Sequence, residues 1–185
     1  MGKVCEKLGI DFMISTGDNF YEKGLATPYD PHFKHSFTNI YSANSVEKQW
    51  GDMQVQLSLI LRKIDNRWLC LRSFLFNTGV IPRNKYLTQV SKELRCALKE
   101  SIGKWKIVIG HHPIRSIGHH SQTKELITLL LPILEAYNLD MYINGHDYRL
   151  QHLSSITRIA FYDVSSNVPH NFNSNQLYYT YSTEM

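Results

Sequence analysis

Three short apolar segments of the sequence end in a glycine that is followed at once by a carboxylate or an imidazole. The residues after these glycines are Asp18, His111 and His146, and Tyr21 lies three positions after Asp18. Carboxylate and phenolate oxygens suit a ferric ion, whereas imidazole suits divalent iron, zinc or manganese. A carboxylate bridging two such ions gives a site that activates water for phosphoryl transfer. Each residue alone is more typical of a turn or a core than of a ligand set, but together they indicate metal-assisted hydrolysis of a phosphoester.

The segments that carry these residues are predicted to be buried β-strands. "DFMISTGDNFY" (11–21), "KWKIVIGHHPIRS" (104–116) and "LDMYINGHDYRL" (139–150) each hold a run of β-formers that ends at the glycine. Because glycine permits a sharp turn, the next side chain can project over the end of its strand. Ligands of α/β sheets bind at the carboxyl ends of the strands. We therefore expect the three strand ends to converge on one site.

The remaining patterns predict an α/β fold. Residues 84–101 carry leucine and valine at spacings of three or four, as an amphipathic helix does. Residues 123–138 form a second helical pattern, in which Pro132 is expected to kink or restart the helix. Residues 67–76 are typical of a strand. Strands that alternate with helices favour a parallel or mixed α/β sandwich.

Bulk composition indicates one globular domain and argues against several functions. The chain has 185 residues and a net charge of +4, with lysine and arginine scattered along it. It lacks the dense basic face of nucleic-acid-binding proteins, and no segment has the ~20 apolar residues that cross a membrane. Three widely spaced cysteines fit neither a disulfide framework nor a zinc ribbon. The N-terminal segment lacks a signal-peptide pattern, so the chain as written is expected in the cytosol.

Several motifs together resemble a known enzyme family. "STGDNFYEKGL", "FTNIYSANSVEKQW", "KWKIVIGHHPIRSIGHH" and "TKELITLLLPILEAYNLDMYINGHD" occur here in the order found in the small plant-type purple acid phosphatases, relatives of the mammalian tartrate-resistant acid phosphatase. The resemblance covers residues 1–155 and implies a calcineurin-like metallophosphoesterase domain, a β-sandwich flanked by helices. It also implies a centre of Fe(III) paired with Fe(II), Zn(II) or Mn(II). Residues 156–185 are expected to form a divergent C-terminal tail that is loosely ordered or pairs weakly.

The resemblance assigns a role to most of the residues above. Asp18 matches the carboxylate that bridges both metals, and Tyr21 matches the tyrosinate on the ferric ion. His111 and His146 match ligands of the divalent metal. His120 matches a histidine near the substrate phosphate, which is suited to protonate the leaving group.

The activity that the resemblance implies is hydrolysis of phosphate monoesters. A metal-bound hydroxide attacks phosphorus while the metals stabilise the equatorial oxygens. His112 would neighbour the ligands without binding a metal itself. The expected partners are therefore small phosphate monoesters, with neither nucleic acid nor a membrane, and the sequence does not indicate an oligomeric state. Members of the family are typically secreted or vacuolar.

The chain also departs from the family pattern. The motif Gly-Asp-x-Gly is absent, "EKQW" runs directly into "GDMQVQ" without Gly-Asn-His-Asp, and "FNTGVIPRN" stands where a core strand with Val-Asp-Thr is expected. Tyr148 occupies the position of a histidine that binds the ferric ion. We therefore expect a truncated and internally deleted member that holds one divalent metal or none, with impaired turnover. The alternative is a catalytically inactive remnant that binds metal or phosphate weakly, or acts through protein contacts.

Overall fold

The computed structural model describes residues 1–17, 20, 25–27, 29–47, 49–51, 59–64, 67–74, 83–103, 105–147, 149–154, 159–164 and 181–183, with the backbone course alone at 49–51, 59–64, 67–74, 83–86 and 181–183. The strands are β1 (Phe12–Ile14), β2 (Gln49–Gly51), β3 (Leu59–Ile64), β4 (Arg67–Phe74), β5 (Trp105–Gly110), β6 (Met141–Asn144), β7 (Leu150–Ser154), β8 (Ala160–Val164) and β9 (Tyr181–Thr183). The helices are α1 (Gly2–Leu8), α2 (Pro31–Phe33), α3 (Arg83–Glu100), α4 (Lys124–Leu129) and α5 (Leu131–Ala136). A π-helical turn (Lys34–Thr38) continues α2, and a 3-10 turn covers Asn44–Val46.

The larger sheet is mixed, as the sequence predicts. Among the described residues it contains seven strands in the order β3-β4-β5-β6-β8-β7-β9. Strands β4, β5, β6 and β8 run parallel, whereas β3 pairs antiparallel with β4, and β7 pairs antiparallel with β8. Parallel neighbours need a crossover of about a dozen residues or more. Helix α3 provides the crossover from β4 to β5, and α4 with α5 provides the one from β5 to β6.

Helices cover one face of this sheet. Helix α3 forms because its apolar residues recur at spacings of three and four, which places them on one side. Four of its buried residues, Leu87, Val90, Leu94 and Leu98, share one core cluster with Val108, Tyr142, Leu153 and Phe161 of the sheet. Full burial of each large aliphatic side chain stabilises the fold by roughly 1.5–3 kcal/mol. The helix predicted over 84–101 and the strand predicted over 67–76 are confirmed as α3 and β4.

The second helical pattern is divided at Pro132. Helix α4 ends at Leu129, and α5 begins at Leu131 with the proline in its first turn. Proline is tolerated there because the first N–H groups of a helix have no acceptor within the helix. The predicted restart is therefore confirmed. Both helices still reach the core, since Leu126 and Leu134 are fully buried.

The smaller sheet covers the opposite face of the larger one. Its two strands, β1 and β2, run parallel. Among the side chains that the structure describes, Phe12, Ile14, Ile107, Ile109 and Ile143 form the apolar cluster between the sheets. Because successive side chains of a strand point to opposite faces, β5 contributes to both apolar layers. The molecule is a β-sandwich with helices on its outer face, which confirms the predicted α/β class.

Two described strands lie beyond residue 155. Strand β8 lies between β6 and β7, and β9 pairs in parallel with β7. The proposed division of the chain at residue 155 remains a prediction. Most of "GDMQVQ" and "FNTGVIPRN", where internal segments are predicted to be missing, falls outside the described residues. In the described part of the chain, no helix combines the length and the apolar character needed to cross a membrane.

Candidate functional site

The two histidines predicted to bind the divalent metal lie at one edge of the larger sheet. The parallel strands β5 and β6 are paired in register up to Ile109 and Ile143. His111 and His146 follow at their carboxyl ends, and the N–H of Gly145 donates to the carbonyl oxygen of His111 at 3.1 Å. This edge is where ligands of open α/β sheets usually bind. Sheet pairing thus delivers the two imidazoles to the same place.

The ring nitrogens of these histidines point at each other. Nε2 of His111 and Nδ1 of His146 are 3.2 Å apart. Nδ1 of His111 lies 2.9 Å from the carbonyl oxygen of Thr16. A carbonyl only accepts, so Nδ1 carries the proton, and Nε2 presents its lone pair towards His146 when the ring is neutral. A backbone carbonyl that fixes the far nitrogen in this way is typical of metal-binding histidines.

Glycines allow the strand ends to approach so closely. A Cβ atom at Gly17, whose φ is 108°, would lie 2.7 Å from Nδ1 of His111. A Cβ atom at Gly145 would lie 2.8 Å from Oγ1 of Thr16. His146 itself has a φ of 75°, in the left-handed region that costs a residue with a side chain about 1–2 kcal/mol. Backbone strain of this kind concentrates at functional sites.

Two more imidazoles complete a group that we call the histidine cluster (His111, His112, His120 and His146). The ring centroid of His146 lies 4.3 Å from that of His112 and 4.5 Å from that of His120. The rings of His111 and His112 are 5.0 Å apart. His120 is exposed, and the other three are half-buried. An exposed histidine beside two converging imidazoles is suited to exchange a proton with a bound substrate.

The spacing of His111 and His146 fits a shared divalent ion. With metal–nitrogen bonds of about 2.0–2.1 Å, two ligands of a tetrahedral ion are roughly 3.3–3.4 Å apart, and adjacent ligands of an octahedral ion roughly 2.9 Å. The observed 3.2 Å lies between these values. Among the described residues, no group of three or more His, Cys, Asp or Glu side chains is arranged to hold a metal ion. Any third ligand of that kind must therefore come from outside the described residues.

Three of the predicted site residues lie outside the described residues: Asp18, Tyr21 and Tyr148. Their metal roles remain predictions. The structure brings together the other four, which are the members of the histidine cluster. Gly17, the neighbour of Asp18 in sequence, lies against the His111 ring. The end of β1 therefore reaches the same edge as the ends of β5 and β6.

Sequence reasoning missed two residues that support the cluster. The hydroxyl of Tyr142 donates to the carbonyl oxygen of His112 at 2.9 Å, and burial raises the pKa of this tyrosine far above its usual range. Its ring lies over Gly110, where a Cβ atom would overlap the hydroxyl. Asp147 is buried and accepts the N–H of His120 at 2.7 Å. The sequence did contain a sign of each role. Tyr142 places a polar hydroxyl inside an apolar strand, and Asp147 directly follows the candidate ligand His146.

Comparison with known proteins places this site in context. The family model described as calcineurin-like phosphoesterase matches residues 32–150. Purple acid phosphatase 3 of Arabidopsis thaliana is 48% identical over an alignment that includes 84% of this chain and 53% of that protein. Purple acid phosphatase 17 of the same plant is 44% identical, over 83% of this chain and 57% of that protein. The human tartrate-resistant acid phosphatase type 5 is 28% identical, over 87% of this chain and 62% of that protein.

The same comparisons bear on the predicted internal deletions. The chain spans little more than half the length of the two plant relatives. The alignment with purple acid phosphatase 3 is 195 residues long, more than this 185-residue chain could fill, and it includes only 84% of the chain. That relative therefore carries internal segments that this chain lacks. The predicted resemblance to purple acid phosphatases is confirmed.

A solved structure supports the fold independently of the sequence. The Plasmodium protein described as GAP50, the anchor in the inner membrane complex, superposes with a TM-score of 0.68 over 89% of this chain and 64% of that chain. The sequence identity is 18%, so the likeness shows a shared fold and nothing further.

Proposed function

Because this chain belongs to the calcineurin-like phosphoesterase family, we propose that the protein hydrolyses phosphate monoesters at the histidine cluster. The family is one of metallophosphoesterases, which implies a metal-dependent reaction. The observation that carries the proposal is the convergence of Nε2 of His111 and Nδ1 of His146 at 3.2 Å. The exposed ring of His120 beside them supplies a proton carrier.

The metal ligands that we propose combine the structure with the sequence. His111 and His146 would hold one divalent ion, and Asp18 is the third ligand that the resemblance names. Three protein ligands and a water make a workable catalytic site. Fe(III) paired with Fe(II), Zn(II) or Mn(II) is the centre expected from the resemblance, with Tyr21 on the ferric ion. Since Tyr148 stands where the resemblance expects a ferric ligand, we propose that a single divalent ion is the main occupant.

Thr16, His111 and His120 have distinct tasks in this reaction. A metal ion held there supplies Lewis-acid activation of water and neutralises charge on the phosphoryl oxygens. The carbonyl of Thr16 keeps the proton of His111 on Nδ1, so that Nε2 is available as a ligand. His120 is placed to give a proton to the oxygen of the leaving group. Because His120 is exposed, a small phosphate ester can reach it from solvent.

Metal content and turnover of p-nitrophenyl phosphate at acid pH test the proposal. The purified protein should bind about one divalent ion per chain and hydrolyse the ester, and His146→Ala should lose both properties. His152→Ala is the matched control, because His152 on β7 stacks on Tyr162 at 4.4 Å and belongs to no candidate ligand set. Stoichiometric metal without turnover would instead favour the inactive metal-binding remnant. If the chain binds no metal, the proposed site itself is wrong.

A further inference from the structure

A buried carboxylate holds the loop that carries His120. Asp147 is 2% exposed, and both of its oxygens accept hydrogen bonds. Oδ1 accepts the N–H of His120 at 2.7 Å, and Oδ2 accepts the hydroxyl of Ser116. An ionised carboxylate only accepts, so two donors suit it, and charge-assisted bonds of this kind are stronger than neutral ones. One side chain therefore fixes both ends of the loop 116–120.

The loop 116–120 is shaped around this carboxylate. A Cβ atom at Gly118 would overlap both oxygens of Asp147, so glycine is the residue that leaves room for them. The N–H of Gly118 donates to Oγ of Ser116 at 2.9 Å. The loop thus closes over Asp147 from its first residue to its last.

Gln151 connects the same loop to the sheet. Its Nε2 donates to Oγ of Ser116 at 2.7 Å and to Oδ2 of Asp163 at 3.2 Å, while its Oε1 accepts the N–H of Ile117 at 3.3 Å. Ser116 Oγ therefore accepts two hydrogen bonds already, and its own proton goes to Asp147. Gln151 and Asp163 are buried, and hydrogen bonds shielded from water are costly to break.

We propose that Asp147 is a positioning residue that holds the His120 ring beside His146. The adjacent residues His146 and Asp147 have different roles. The side chain of His146 belongs to the candidate metal pair, and the side chain of Asp147 fixes the loop 116–120. The result is the 4.5 Å separation between the rings of His120 and His146. That placement is independent of catalysis, whereas its value for proton donation rests on the proposed function.

The first test measures ring placement without any turnover. In the NMR spectrum of the full chain, ring protons of His120 and His146 should show a nuclear Overhauser effect. Asp147→Asn should abolish it, because the amide replaces one of the two accepting oxygens with an NH2 donor, which then faces the N–H of His120 or the hydroxyl of Ser116. Asp140→Asn is the matched control: Asp140 accepts the N–H of Lys106, also at 2.7 Å, at the opposite end of β6. The effect should persist there.

An unchanged Overhauser effect in folded Asp147→Asn overturns the proposal. Gly118→Ala provides a second variant, which leaves the carboxylate in place and displaces the loop. It should also abolish the effect, and it decides the matter if Asp147→Asn does not fold. Retention of the effect in folded Gly118→Ala equally overturns the proposal.

The second test separates positioning from a general structural role. Glycerol 2-phosphate has an alkoxide leaving group that needs a proton, whereas p-nitrophenolate leaves without one. In the metal-loaded enzyme, Asp147→Asn should lower kcat for glycerol 2-phosphate by about 10- to 100-fold and lower kcat for p-nitrophenyl phosphate by a much smaller factor. His120→Ala should do the same, and the double variant should add nothing further. Equal losses for both esters contradict the proposal. If the unmodified chain hydrolyses neither ester, the proposed function fails, and the Overhauser effect still decides the positioning role.

Discussion

The two ends of strand β6 use a carboxylate in different ways. Before the strand, Asp140 accepts the N–H of Lys106 at 2.7 Å, and its own N–H donates to the carbonyl oxygen of Lys106 at 3.0 Å. After the strand, Asp147 accepts an N–H at the same distance, but the donor is His120 in a loop. The first contact extends the pairing of β5 with β6, whereas the second places a side chain. Equal hydrogen bonds therefore stabilise the sheet at one edge and organise a site at the other.

The backbone differs between the same two edges. At the amino edge, Ala160 donates its N–H to the carbonyl oxygen of Asp140, so regular pairing continues into β8. At the carboxyl edge, Gly17 and His146 adopt positive φ, and a Cβ atom at Gly145 would crowd Thr16. Strained backbone persists only where surrounding contacts determine it. The two edges therefore differ: regular strand pairing continues at the amino edge, whereas irregular backbone at the carboxyl edge brings the imidazoles together.

Removal of a converging imidazole should have the largest effect. His111→Ala takes away Nε2, which faces His146 at 3.2 Å. We expect the affinity for Zn²⁺, measured by isothermal titration calorimetry, to fall by more than about 100-fold, since even residues that only orient a ligand are worth 10- to 100-fold. The control His152→Ala should bind zinc as the unmodified chain does. Equal zinc affinity for all three proteins would contradict the site.

Addition of one methyl group at the carboxyl edge should have the next largest effect. Gly17→Ala places a Cβ 2.7 Å from Nδ1 of His111, at a φ of 108°. We expect the free energy of unfolding to fall by about 2–3 kcal/mol, together with zinc affinity. Gly9→Ala is the matched control, because Gly9 also has positive φ, at 58°, but no atom of the described residues lies within 4 Å of its added Cβ. It should lose about 1–2 kcal/mol in urea unfolding and keep its zinc affinity. Identical behaviour of the two variants would refute the close approach at Gly17.

Loss of the Tyr142 hydroxyl should have a smaller, pH-dependent effect. Its hydrogen bond to the carbonyl of His112 is buried, so Tyr142→Phe should cost about 1–1.5 kcal/mol at neutral pH. Burial raises the pKa of Tyr142 in the folded state. The unfolded chain therefore releases this proton first, and stability should fall by about 1.4 kcal/mol per pH unit once pH exceeds about 10.

Urea unfolding between neutral and strongly alkaline pH measures that slope. The difference between the unmodified chain and Tyr142→Phe isolates this tyrosine from the others, and it should shrink as pH rises above the ordinary tyrosine value. Tyr29→Phe is the control, because Tyr29 is 92% exposed and should not change the slope. A constant difference at every pH would show that the Tyr142 hydroxyl is not buried in solution.

Substitution at the amino edge should have the smallest effect. Asp140→Asn keeps an oxygen that can accept the N–H of Lys106 and loses only the charge of the bond. We expect the free energy of unfolding to fall by about 0.5–1 kcal/mol, with zinc affinity unchanged. A change in zinc affinity would mean that the two edges are coupled through β6, and the contrast between them would then be invalid.

Local periodicity made much of the fold predictable. The spacing of Leu87, Val90 and Leu94 predicts helix α3 because these side chains fall on one helical face whatever they pack against. Pro132 predicts the restart at α5 because the missing N–H is a property of the residue itself. The glycine after each apolar run likewise predicted that β5 and β6 would present histidines at one edge.

Contacts between distant residues were not predictable in the same way. The bond between Asp147 and His120 joins positions 27 apart, and the bond from His111 to Thr16 spans 95 positions. No periodicity links such positions. Asp147 meets His120 only after β5 and β6 have paired, and His111 meets Thr16 only after the two sheets have packed. The role of Asp147 was therefore missed, although its position beside His146 in sequence was visible. The resemblance, by contrast, directed attention to His120, whose ring lies next to that of His146. Its role as a proton donor remains a prediction.

The hydrogen bond between His111 and Thr16 also connects the two sheets. Thr16 follows β1 of the smaller sheet, while His111 follows β5 of the larger one. A metal ion bound by Nε2 of His111 would stabilise this contact between the sheets, because the free energy of metal binding is added to that of the folded state. Removal of the metal by a chelator should then destabilise the contact between β1 and the larger sheet before it destabilises the helices. Amide hydrogen exchange should therefore become faster along β1 than along the helices when the chelator is added.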